Sequence, residues 1–177
     1  ALAGIAALGL MFSKKSTPHS GAGAIYSDAL GLQTGAGIYN KPTFGMGIAD
    51  EYNAETSKAV GGIAKGLAEA LDGVAKTFGK TAGFEIATAF ADDSSKDGAW
   101  GQLRISQGGK DLLNWAANPK RDGIPKEFAD GQAGYAEYLA TIAQDTRKVL
   151  LDMDLPSWAD TMLNSIGELS NMDQLSA

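Results

Sequence analysis

The chain has 177 residues, 44% of them hydrophobic, which suits one domain or one domain with an appendage. A formal net charge of −6 provides no basic face to displace counterions from a nucleic-acid backbone, so sequence-specific nucleic acid is not an expected partner. Cysteine is absent, which removes disulfides, thiolate metal sites and thiol nucleophiles together.

In chain order, residues 1–15 form the first unit. Ala1 to Phe12 (ALAGIAALGLMF) is uncharged and apolar, and Lys14 and Lys15 follow closely. A bilayer span needs about 20 such residues, and the basic start and cleavage site of a secretory signal are missing. Two readings stay open. One is a buried helix in an assembly. The other is the end of a longer membrane-type helix, with Leu2, Ile5, Leu8, Leu10, Met11 and Phe12 facing lipid and the two lysines as anchors. The opening on Ala1 directly into this segment suits a piece of a longer protein.

Residues 16–52 are read as a glycine-rich extended arm. The chain carries 23 glycines, most of them in its first half, and this stretch would have little apolar burial to offset their backbone entropy. Such an arm is expected to lie on another chain, with Ile25, Tyr26, Ile38 and Tyr39 as the partner-binding residues.

Residues 53–82 carry the strongest periodicity. Val60, Leu67 and Val74 recur every seven residues, and Ala64, Leu71 and Phe78 repeat the pattern four residues on, the 3-and-4 spacing of a coiled-coil seam. Five glycines weaken the helix, each by up to about 1 kcal/mol, so packing must hold it. It is read either as an amphipathic helix on its own domain or as a self-association seam; the expectation adopted is self-association through these six residues.

Residues 83–177 are read as a β-hairpin followed by a helical unit. Phe84, Ile86, Thr88 and Phe90 alternate with smaller or polar residues, and Ala99, Gly101, Leu103 and Ile105 do the same after a polar loop. Three helices are then expected: Lys110 to Ala117, Ala133 to Met153, and one starting at Asp154-Leu155-Pro156. The predicted fold class is therefore α+β and mostly α-helical.

The loop from Asp93 reads D-x-S-x-D-G, like the start of a calcium loop, but its twelfth position is Arg104 where a bidentate carboxylate is needed. Hairpin strands on both sides also replace the helices of an EF-hand. His19 is the only histidine, and no nucleophile elbow, P-loop or dinucleotide fingerprint is present. Acids for a carboxylate-pair hydrolase are available, but they sit beside lysine and arginine in the manner of a solvated surface. No enzyme activity, cofactor or metal is expected.

Three strings, STPHSGAGAIYSDA, FADDSSKDGAWGQLRI and DLPSWADTMLNSIGEL, resemble the C-terminal part of tail tape measure proteins of long-tailed bacteriophages, and the likeness runs from about Thr17 to near the end. The resemblance implies a structural component of the virion, held in the lumen of the tail near its tip. It would act in tail-length determination, tail assembly and genome ejection, as a coaxial homo-oligomer, commonly a trimer, against tail-tip, baseplate and tube proteins, and it implies contact with the host envelope on ejection. The long repetitive helical tape is missing, so this chain would be the anchoring end of the ruler. An acidic surface suits release past DNA by like-charge repulsion. A membrane-active pore-forming or lysis protein and a cell-wall hydrolase are the alternative readings.

Overall fold

The computed structural model describes residues 20–35, 51–52, 54–93, 98–115, 126–129 and 131–157. Within them the strands are β1 (Ser20–Ser27), β2 (Gly31–Gly35), β3 (Glu51–Tyr52), β4 (Phe84–Asp93), β5 (Gly98–Gln107), β6 (Lys110–Asn114) and β7 (Lys126–Phe128), and the helices are α1 (Ala54–Thr77) and α2 (Gly131–Leu151). All seven strands join one sheet, ordered β2-β1-β4-β5-β6. Short β3 adds to β1 in parallel, β7 adds to β5, and every pairing except that of β3 is antiparallel. The fold is α+β with a substantial sheet among the described residues. The expectation of a mostly helical chain is incorrect.

The expected hairpin lies in the middle of this sheet. Ile86 faces Ile105, Thr88 faces Leu103 and Phe90 faces Gly101, so the alternation seen in the sequence sets the register. Lys110 to Ala117, expected as a helix, instead begins with strand β6. Gly108 and Gly109 both have positive φ, 57° and 79°, and the two-residue turn they form matches the twist of antiparallel strands, which returns the chain along β5.

Residues 20–35 are not an arm. Strand β1 lies between β2 and β4, with Ala22 and Ala24 fully buried beneath α1. Small residues here allow a helix to approach the sheet closely, a use that composition read only as a lack of core.

Helix α1 lies across β1, β4 and β2, and α2 across β5, β6 and β7; their buried residues form one continuous cluster with a single face of the sheet. Val60, Ala64, Leu67 and Leu71 are all buried in that cluster, while Val74 and Phe78 are half-buried. For Val60, Ala64, Leu67 and Leu71 the spacing thus records packing of α1 on its own sheet, the other reading of this period, and their burial there leaves these four no surface for self-association. A helix covering a sheet needs an apolar stripe on the same period as a coiled coil, because helical geometry fixes both.

The end of α1 is closed tightly. Gly79, at φ 66°, donates its N–H to the Lys76 carbonyl, and Lys80 N–H reaches the Ala75 carbonyl at 2.7 Å, the paired bonds of a Schellman cap. One turn earlier, buried Asp72 accepts the N–H groups of Gly83 (2.8 Å) and Phe84 (3.0 Å) on one carboxylate oxygen. Hydrogen bonds to a charged group contribute about 1.5–3 kcal/mol, so Asp72 fixes where β4 begins relative to α1.

Replacing Leu67 and Leu71 together by Asp removes two buried side chains, each contributing about 1.5–3 kcal/mol, and buries two charges, against a typical domain stability of about 5–15 kcal/mol. Circular dichroism on heating should show no cooperative transition; a folded variant that differs only in oligomeric mass would refute the assignment of α1 to the core. At Gly101 an added Cβ would stand 2.6 Å from the Tyr138 ring and 2.8 Å from the Phe128 ring. Gly101→Ala should therefore cost about 1–3 kcal/mol, read from the urea midpoint.

Candidate functional site

The densest group of chemically capable side chains sits where β5, β6 and β7 meet α2. Phe90, Phe128 and Tyr135 surround Tyr138 at centroid separations of 5.1, 5.8 and 5.8 Å, and Trp115 joins at 6.2 Å. Tyr138 is fully buried and its hydroxyl meets that of Thr88, which also donates to the Gln102 carbonyl at 2.8 Å. The rings approach because β5 has glycine at position 101, directly beneath them. Burial raises the Tyr135 hydroxyl well above the ordinary phenol range.

At the edge of this group Asp145 is buried and takes three donors. Trp115 Nε1 and Lys148 Nζ each lie at 2.8 Å, on different carboxylate oxygens, and Lys126 Nζ is at 3.4 Å. Lys126 also stands 4.6 Å above the Trp115 ring, a cation–π contact. Burial alone would push the Asp145 carboxyl up, but the hydrogen bonds from Lys148 and Trp115, together with the charges of Lys126 and Lys148, hold it below the usual carboxylate range. A carboxylate held this way is a poor proton acceptor, because protonation would break its hydrogen bonds. Its work is to tie β6, β7 and α2 together.

The opposite face of the sheet has a different character. Ile25, Ala87, Ala89 and Ala91 form a second buried cluster with half-buried Trp100 against it, and no residue of either helix belongs to it. Gln102 lies on the same face between Trp100 and Arg104; it is 1% exposed, and both ends of its amide lack a hydrogen-bond partner. Further along, Arg104 donates to Asp111 at 2.6 Å and stands 3.9 Å from Glu85. Partial burial pushes Asp111 up, but bonds from Arg104 and Asn114 outweigh it and hold that carboxyl low.

The sequence-predicted site residues are scattered. Ile25 is in the second-face cluster, and Tyr26, half-buried, packs against the helix-side core while its hydroxyl donates to Asp28 at 3.1 Å, which raises its titration point. Both belong to a strand of this chain's own sheet and not to an extended arm. Ile38 and Tyr39, the apolar residues Leu2 to Phe12, His19 and the polar loop at 94–97 lie outside the described residues, as do residues 158–177 of the last expected helix. No group of three or more acidic or histidine side chains able to hold a metal occurs among the described residues, and no described helix is long and apolar enough to cross a membrane.

Asp72, Gln102 and Asp145 carry the polar chemistry and were missed in the sequence. The partners that Asp72 and Asp145 draw from other elements lie 11 or more positions away, and no motif links Trp115, Lys126 and Asp145. No known protein family, curated protein or solved structure matches the chain.

Asp145 also gives the fold a defined response to acid. With its titration lowered in the folded state, its stabilisation is fully present above the ordinary value of 3.8 and is lost as pH falls from there through the folded value. Asp145→Asn should be less stable than the parent by about 1–3 kcal/mol at pH 7. Urea midpoints at pH 7, 4 and 3 should show that gap closing below pH 4; a gap constant down to pH 3 would contradict the assignment.

Proposed function

We propose that this chain is the anchoring C-terminal region of a phage tail tape measure protein, a structural part of the virion seated inside the tail near its tip. The observation that carries the reading is the resemblance of its three strings to that family. The first string runs through β1, the second runs from β4 into β5, and the third starts directly after α2. The likeness thus involves the central strands of the sheet and the chain leaving the last described helix.

The use of buried polar groups supports a structural role over catalysis. Asp72 holds the start of β4, Thr88 joins β4 to β5 and α2, and Asp145 joins β6, β7 and α2, so each described buried carboxylate is engaged in holding elements together. Coaxial assembly with sister chains, and contact with tip and tube proteins, belong to the same proposal. Such contacts must use surfaces other than Val60, Ala64, Leu67 and Leu71, which are inside the domain.

Mass spectrometry of tails made by the genome that encodes the chain tests the proposal. After tails are sheared and fractionated, peptides covering 84–107 and 131–151 should be found in the tip fraction at a small, fixed number of copies per tail. Their absence from purified particles would reject the reading.

A further inference from the structure

Strand β2 is the last strand on its side of the sheet and pairs with β1 alone among the described residues. Gly31, Leu32, Gln33 and Thr34 are all exposed, although Leu32 and Thr34 lie on the helix side and Gln33 on the other. Exposure on both faces at once, with α1 packed over one of them, marks an open outer edge. That edge is apolar: Leu30 and Leu32 are 53% and 46% exposed.

An open edge is a template for another strand, and folded proteins guard such edges with charge, proline or a bulge. At the other side of the sheet β6 has these guards. Lys110 and Asp111 lie on it, and its register with β5 shifts between Ile105 and Ser106. Short β7 on the same side begins with Lys126 and Glu127. β2, GLQTG, has no charge, no proline and no shift of register against β1.

We propose that β2 is where a second copy of this chain joins, antiparallel and about a two-fold axis through Gln33, so that one sheet runs through both chains. The strand is complementary to itself. Turned about Gln33, Gly31 falls opposite Gly35, Leu32 opposite Thr34 and Gln33 opposite its own copy, so no bulky pair is forced together and each exposed Leu32 gains the methyl of Thr34. The two Gln33 amides, each with donors and an acceptor, can bond each other on the second face. A charged partner would find no counter-charge on β2, whereas an uncharged strand of the same sequence needs none.

The helix layer leaves room for this join. Opposite residues of an antiparallel pair share a face, so both α1 helices would lie on one side of the joined sheet. With α1 set over β1, β1 and its copy would stand three strand spacings apart, about 14 Å, which admits two helices about 10–12 Å across. α1 also positions the edge, since Leu32 and Thr34 lean on Gly61, where an added Cβ would stand 3.0 Å from Thr34 Cγ2 and 3.5 Å from Leu32 Cδ2. The join does not depend on a place in a phage tail.

Light scattering of the full chain over a concentration series should give a mass that rises to that of a dimer. Leu32→Lys supplies the missing guard at an exposed position, and with an unchanged circular dichroism spectrum it should raise the dissociation constant about tenfold or more. Because the chain has no cysteine, Gln33→Cys reports the axis directly. Mild oxidation should link two such chains, and Lys110→Cys on β6 should link far more slowly. A monomer or a trimer at every concentration, a dimer that Leu32→Lys leaves as tight, or a Gln33→Cys chain that links no faster than Lys110→Cys, overturns the proposal.

Discussion

Strand β4 has almost no solvent face. From Phe84 to Ala91 every side chain except that of Glu85 is buried, with Phe84, Ile86, Thr88 and Phe90 on one side and Ala87, Ala89 and Ala91 on the other. A strand buried on both sides cannot lie at the edge of a sheet, and the rest of the architecture follows. β1 and β5 flank it, α1 and α2 cover its bulky face, and its alanines are buried beside Ile25 and half-buried Trp100.

The two faces are packed differently. On the helix side, large residues on β4 and β5 are matched to small ones on β1 and at Gly101, so α1 settles onto alanines and the rings of α2 settle onto glycine. Packing density is then set by complementarity between neighbouring strands. On the second side the buried β4 residues Ala87, Ala89 and Ala91 are small, and each stands opposite a longer β5 side chain, Arg104, Gln102 or Trp100.

Buried polar groups act as joints between elements that are distant in sequence. Asp72 links α1 to β4, Thr88 and Tyr138 link β4 to α2, and Asp145 with Trp115 and Lys126 links β6, β7 and α2. Each joint is nearly saturated with partners, which makes it rigid and leaves little capacity for proton transfer. Gln102 is the exception: it lies on the second face opposite Ala89, and both ends of its buried amide are without a partner.

The sequence by itself determined the elements whose burial repeats on a local period. The alternation of Phe84 to Phe90 and Ala99 to Ile105 set both the hairpin and its register, and the apolar stripes of α1 and α2 set those helices and the sides they bury, because each signal depends only on neighbours within a strand or a few helical turns. Tertiary structure alone decided what those faces bury against. The spacing of Val60 to Phe78 is the same for a coiled coil and for a helix on a sheet, and only the presence of β1 beneath it, with Ala22 and Ala24, selects the second. The glycine-rich stretch at 20–35 looked too poor in apolar surface to fold because composition counts what a segment brings to a core, whereas a central strand needs only room for its neighbours. Asp72 and Asp145 were illegible for a related reason: a carboxylate is a surface charge or a structural joint according to donors that chain folding brings from far away in sequence.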